Sequence, residues 1–177
     1  MNEEGKYLGH VKKNHLYGHM RAARAYGLMS HAVRRKVGAI LVLPNGLTAQ
    51  GYNGTPKGHP NACEGEDGLT LPTVIHAEDN AYRKLEEAGV DPSGAFVFCT
   101  DAACSNCASI IVEKGAKFFM YERPYKVEDG IVKMLLKGIR VFQMEDASGS
   151  EVWITEVTLN REDWSLVFGE PYTVSIR

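Results

Sequence analysis

The 177-residue sequence contains no apolar stretch approaching the roughly 20 residues that a membrane-spanning helix requires. It has no basic excess either: 20 Lys and Arg face 22 Asp and Glu, for a formal net charge of −2. Domains that bind polynucleotide by neutralising phosphates ordinarily carry surplus positive charge, so no polynucleotide partner and no membrane partner is expected. A small basic patch for one phosphate stays compatible with that balance. The opening MNEEGKYLGHVKKNH lacks the apolar core of a secretory signal, so the expected location is cytoplasmic. Repeats and low-complexity tracts are absent. Cysteine is scarce, with Cys63, Cys99, Cys104 and Cys107 only. Two of these form a C-x-x-C pair, which in a chain without a secretion signal is more often metal-binding or redox-active than disulfide-bonded.

The apolar pattern divides the chain into alternating elements. From His15 to Ala32, the residues Leu16, Met20, Ala23 and Gly27 recur on one helical face. Val37–Leu43 is a continuous apolar run of strand length. Pro44-Asn45-Gly46 turns it back into LTAQGY, a hairpin. Residues 53–73 are rich in Gly, Pro, Asn and charge and read as a long loop, which inside a small domain is usually functional. A helix follows from between Thr73 and His76 to near Gly89, then a buried strand over Ala95–Thr100 and a helix ending near Gly115. A strand over Lys117–Tyr121, a helix over Val127–Lys137 and the strand IRVFQM complete the series. This order predicts a mixed, helix-covered sheet in a single α/β domain. Residues 145–177 differ: EVWITEV and PYTVSIR alternate like short strands and suggest a C-terminal β extension, packed on the same domain or forming an oligomer contact.

Three features carry chemistry together. His76-Ala77-Glu78 opens one helix, Cys104-Ser105-Asn106-Cys107 opens the next, and a strand leads into the second. One His and two Cys make a three-ligand zinc site with a fourth position left for water, whereas closed structural sites fill all four. Cys104 and Cys107 lie three apart, so both thiols fall on one face of a helical turn, and a helix N-terminus favours the thiolate form. Glu78, two residues from His76, points away from the ligand direction and is the candidate proton shuttle. Zinc lowers the pKa of bound water from about 16 toward about 7, and a positioned carboxylate adds roughly 10²–10⁴-fold. The arrangement matches the zinc-deaminase signature H-x-E…P-C-x-x-C except at Ala103, which stands where the signature has Pro. A Pro there mainly presets backbone shape.

These residues, with RRKVGAILV, GYNGTPKG (Gly51–Gly58), HAEDNA and ERPYKVED, resemble the cytidine and deoxycytidylate deaminase superfamily, its dCMP deaminases in particular, over roughly residues 15–144. The resemblance implies a three-layer α/β/α fold with a mixed five-stranded central sheet. It assigns residues 1–144 to a zinc-dependent deaminase domain and 145–177 to the β extension. It implies hydrolysis of dCMP to dUMP and ammonia, with His76, Cys104 and Cys107 holding catalytic zinc and Glu78 moving protons. Asn53 would hydrogen-bond the sugar or base, Thr55 and loop amides near Lys57 would face the phosphate, and Tyr125 would pack on the pyrimidine. The backbone at Ala77 and Ala102 would read the base edge. The resemblance further implies a homo-oligomer, control by dCTP and dTTP with Mg2+ accompanying the effector, and a second, structural zinc at Cys63. His31, His59 and Glu64 are the candidate partners of that thiol.

Plainer readings stand beside these. Asn53 between glycines is a natural turn residue, Tyr125 after Pro124 fits packing as well as stacking, and Cys99 fits a small core residue. Arg34-Arg35-Lys36 is either a solvated loop or a basic patch for phosphate. The same chemistry could act on dCTP, a 5-modified dCMP or another nucleoside or base. A non-catalytic zinc-stabilised binding module is the rival of a different class. Glu78 speaks against it, because a structural site has no need of a carboxylate that is not a ligand.

Overall fold

The computed structural model describes residues 6–146 and 151–175. Its first elements are a short hairpin, β1 (Tyr7–Leu8) and β2 (Val11–Lys12), turning at Gly9. Helix α1 (Leu16–Gly27) follows, with Leu16, Met20, Ala23 and Gly27 buried as their spacing predicts. It ends five residues before Ala32. Ser30 is buried there and its hydroxyl donates to the Asn53 carbonyl (2.7 Å), pulling the chain off the helix axis. The rest of the chain forms β3 (Gly38–Val42), β4 (Thr48–Tyr52), α2 (Ala77–Glu87), β5 (Phe96–Asp101), α3 (Ser105–Glu113), β6 (Phe118–Arg123), α4 (Asp129–Leu136) and β7 (Arg140–Asp146). Then come β8 (Glu151–Leu159), β9 (Leu166–Phe168) and β10 (Tyr172–Ser175). The final residues of the PYTVSIR segment, 176 and 177, lie outside the described residues.

One eight-stranded sheet runs in the order β10-β8-β7-β6-β5-β3-β4, with β9 also on β8. The five expected strands, β3 to β7, are its central part. β5, β6 and β7 pair in parallel, while β3 meets β4 and β5 antiparallel. The sheet exceeds five strands because the C-terminal segment continues it: β8 pairs antiparallel with β7, setting Val157 against Val141 and Ile154 against Met144.

Strand periodicity sorts the core into two layers. Ala39, Leu41, Val97, Cys99, Phe119, Tyr121 and Val141 face α2, α3 and α4. Ile40, Val42, Phe96, Phe98, Met120 and Phe142 face α1 and the β1–β2 hairpin. The result is the three-layer α/β/α arrangement. No helix among the described residues is long and apolar enough to cross a membrane.

Candidate active site

The site forms where two helices begin against the sheet. Gly51 on β4 admits the start of α2: a side chain at that position would come within 2.1 Å of the Ala77 carbonyl oxygen. Asn80 then donates to the Tyr52 carbonyl (2.9 Å) and fixes α2 on β4. β5 delivers Ala102 and Ala103 directly into α3, whose N-cap is Cys104. His76 is the N-cap of α2, and both caps have extended backbone and use no side-chain capping bond. Their side chains are therefore free to turn toward each other.

His76 Nδ1 lies 3.3 Å from Cys107 Sγ and 3.6 Å from Cys104 Sγ, and all three donor atoms fall within 4.8 Å of one another. Bond lengths of about 2.0 Å to nitrogen and about 2.3 Å to sulfur place neighbouring ligands of a tetrahedral zinc roughly 3.5–3.8 Å apart. The two His76-to-sulfur distances, 3.3 and 3.6 Å, are close to that spacing, and the third separation is within 4.8 Å. The neighbouring Cys107 thiol, and after it His76, hold the Cys104 thiol down to about 3. Proximity to Cys104, together with burial, pushes Cys107 up.

Glu78 is 4% exposed and belongs to no ion pair among the described residues. Burial raises its carboxyl above the ordinary carboxylate value. Cys99, entirely buried and close enough to feel the Glu78 charge, packs in the core of this layer, as its apolar strand suggests.

A cleft of about 490 Å³ opens over the site, within the usual range for small-ligand pockets. His76, Ala77, Glu78, Ala102 and Cys104 form its floor, and Asn53, Tyr125, Arg34 and Arg35 stand around it. Most of the expected site residues are therefore gathered here, with Cys107 in the donor group beneath. Thr55 is not in the lining. Cys63 is buried against Ala32 and Val74, with Leu71 beside them. Among the described residues the metal-binding group is His76, Cys104 and Cys107, and no ligand set assembles around Cys63. Glu64, its suggested partner, instead accepts from the Val33 and Arg34 amides (both 3.0 Å).

Two features escape the sequence. The Asn53 carboxamide accepts from the Val37 amide and donates to the Arg35 carbonyl (both 2.8 Å), so it clasps the basic loop as well as facing the cleft. Asp101, at the end of β5, lines the cleft as a buried carboxylate. The motif-flanking position that it occupies gives no sign of its arginine partners, which lie far away in the chain.

Comparison with known proteins agrees with this geometry. Residues 13–122 match the cytidine and deoxycytidylate deaminase zinc-binding region. The chain is 34% identical over 119 residues to the deoxycytidylate deaminase of Schizosaccharomyces pombe, covering 60% of this chain and 36% of that protein. It is 33% identical over 136 residues to that of Saccharomyces cerevisiae, covering 70% and 43% respectively. The chain thus spans less than half the length of either yeast protein. Its structure is similar to that of the dCMP deaminase from the cyanophage S-TIM5 in complex with dCMP and dUMP, with TM-score 0.73 and 39% identity over 76% of this chain and 99% of that one. A matched zinc-binding region that contains the three-donor group, His76 with Cys104 and Cys107, places this chain in the cytidine and deoxycytidylate deaminase family.

Proposed function

We propose that the chain deaminates dCMP to dUMP and ammonia. The observation that carries this reading is the placement of a buried Glu78 carboxylate, in no ion pair among the described residues, beside the three-donor group, under a cleft whose wall carries Arg34 and Arg35. The phage relative was solved with dCMP and dUMP, which supports the same substrate here.

Zinc held by His76, Cys104 and Cys107 would supply Lewis-acid activation of water at neutral pH. Glu78 accepts one proton of the water that adds to C4 of the pyrimidine and delivers it to ring N3; it then takes the second proton, from the new C4 hydroxyl, and passes it to the 4-amino group. The C–N bond breaks, ammonia leaves, and the water oxygen stays on C4 as the uracil carbonyl, with its other proton on N3. A raised carboxyl pKa suits a group that must both take and give a proton in one cycle. The pyrimidine sits over Ala77 and Ala102, whose backbone reads the base edge. Tyr125 covers the ring, Asn53 reaches the sugar, and the basic wall faces the 5′-phosphate.

Residues 1–144 carry this chemistry and 145–177 extend its scaffold. The reading carries a cytoplasmic enzyme that assembles as a homo-oligomer, and dCTP and dTTP as its effectors.

The test is turnover of dCMP, dCTP and deoxycytidine by the zinc-loaded protein, followed by loss of cytosine absorbance. dCMP is expected to be the best of the three. Glu78→Gln is expected to keep the metal and lose roughly 10²–10⁴-fold in kcat. Full activity in that variant would overturn the role given to Glu78. A rate unmoved by dTTP, or by dCTP with Mg2+, would remove the effectors.

A further inference from the structure

Asp101 is the buried charge that the deamination chemistry leaves unused. Its carboxylate, 7% exposed, sits between two guanidinium groups. Arg123, at the end of β6, grips it with both arms: Nε to Oδ1 at 3.0 Å and a terminal nitrogen to Oδ2 at 2.8 Å. Arg123 also donates to the Lys36 carbonyl (2.9 Å), so Asp101 is tied to the loop before β3. From the other side Arg35 reaches Asp101 Oδ1 at 2.6 Å. Arg35 also donates to the Pro124 carbonyl (3.3 Å), and its guanidinium stands 6.0 Å from the Tyr125 ring centre.

We propose that Asp101 is a positioning residue for substrate specificity. Acting through Arg35, it presents a fixed guanidinium to the phosphate monoester of the substrate. This rests on the dCMP reading above and extends it to a residue that need not touch the reacting atoms.

Three observations support the assignment. First, the loop that bears Arg35 is held on every side: Glu64 caps the Val33 and Arg34 amides, Asn53 clasps Arg35 and Val37, and Arg123 holds Lys36. Such clamping serves little purpose for a solvated loop, and much for a side chain that must be in place before its ligand arrives. Second, Asp101 engages Arg35 through one terminal nitrogen, and a planar guanidinium with five donors keeps others for an anion. Third, the wall is basic: Arg34 and Arg35 both line the cleft, and Arg34 has no ion-pair partner among the described residues. The wall is thereby suited to a phosphate monoester, and a neutral nucleoside gains nothing from it.

The rival role is a staple joining the ends of β5 and β6 with no bearing on the substrate. Steady-state kinetics on zinc-loaded protein separate the two, using dCMP and deoxycytidine with wild type, Asp101→Asn, Asp101→Glu, Arg35→Ala and the Asp101→Asn/Arg35→Ala double variant. Asp101→Asn is expected to raise KM for dCMP by roughly tenfold, near the upper end of what freeing one long ordered side chain removes from binding. It is expected to move kcat less, so the preference for dCMP over deoxycytidine falls by a similar factor. Asp101→Glu should recover part of the loss, and the double variant should be no worse than Arg35→Ala alone. An unchanged preference in Asp101→Asn, or effects that multiply in the double variant, would overturn the proposal. If Asp101→Asn does not fold, Arg35→Ala decides: it must collapse the preference, and retention of the wild-type preference overturns the assignment. Absence of dCMP turnover in the wild type would instead bring down the functional reading itself.

Discussion

At the scale of single residues, the metal site depends on places where the backbone carries no side chain. A methyl group at Gly130 would lie 2.0 Å from the Ala103 carbonyl oxygen and 2.9 Å from that of Cys104. No rotamer relieves a clash with backbone, so in Gly130→Ala helix α4 must retreat or the cysteine loop must shift. Overpacking of this kind costs about 1–3 kcal/mol. Gly130→Ala is expected to lower stability by that amount in denaturant titration and to lose zinc to a competing chelator sooner than wild type. Gly18 supplies the opposite sign. It lies within α1 with nothing within 4 Å of its missing side chain, so Gly18→Ala should stabilise by roughly 0.5–1 kcal/mol. Zinc itself joins the starts of α2 and α3. Stripping it should lower Tm, with recovery on adding zinc back in proportion to the logarithm of its free concentration. A Tm indifferent to zinc would mean that the three donors do not hold it in the folded state. The ligands were legible because H-x-E and C-x-x-C are local patterns whose spacing alone dictates the chemistry. The Asn53 clasp and the Asp101 pairings were not, because their partners lie 16 to 66 positions away along the chain or become visible only once β5 and β6 lie side by side.

At the scale of elements, helix α1 shows both how far periodicity reaches and where it stops. Its buried face follows from the spacing of Leu16, Met20 and Ala23, but its end is set by Ser30 bonding to Asn53, a tertiary contact invisible to local pattern. The same helix carries a titratable group into the core layer. The His19 ring packs 5.2 Å from that of Phe98, and burial, reinforced by His15 and His10, lowers its pKa below the ordinary 6.5. The unfolded chain therefore takes up this proton at a higher pH than the folded one does. Stability from this group is fully present above pH 6.5 and declines as pH falls toward the lowered folded value. His19→Gln should flatten that decline. Comparing the denaturation midpoints of variant and wild type above and below pH 6.5 isolates His19 from the zinc ligands, which are common to both. Identical slopes in the two proteins would show that His19 contributes nothing to the acid limb.

At the scale of the whole molecule, the alternation of strands and helices from β3 to β7 was legible because central strands such as β3 and β5, buried along their whole length, read as unbroken apolar runs. The C-terminal strands could be recognised by their alternation but not placed, since period-two patterning fixes a face and not a neighbour. In the structure β8 closes the β7 edge and buries Val152, Ile154 and Val157. Three aliphatic side chains of this kind contribute together about 5–9 kcal/mol when fully buried, comparable to the roughly 5–15 kcal/mol by which a domain of this size is stable at all. Removing them would also leave β7 as an unpaired edge beside exposed apolar side chains, a template for aggregation. A chain stopped after Asp146 retains His76, Glu78, Cys104, Cys107 and every cleft residue, yet it is expected to be insoluble or to melt far below the full chain. Soluble yield, zinc content and Tm of the truncated protein measure this directly. If that protein were soluble, zinc-loaded and as stable as the full chain, the extension would be an accessory to the sheet and the β5–β7 core would carry the site unaided. If it fails as expected, the β extension belongs to the scaffold of the metal site although it supplies none of its ligands. The failure would arise because β7 neighbours β6, β6 neighbours β5, and β5 delivers Cys104.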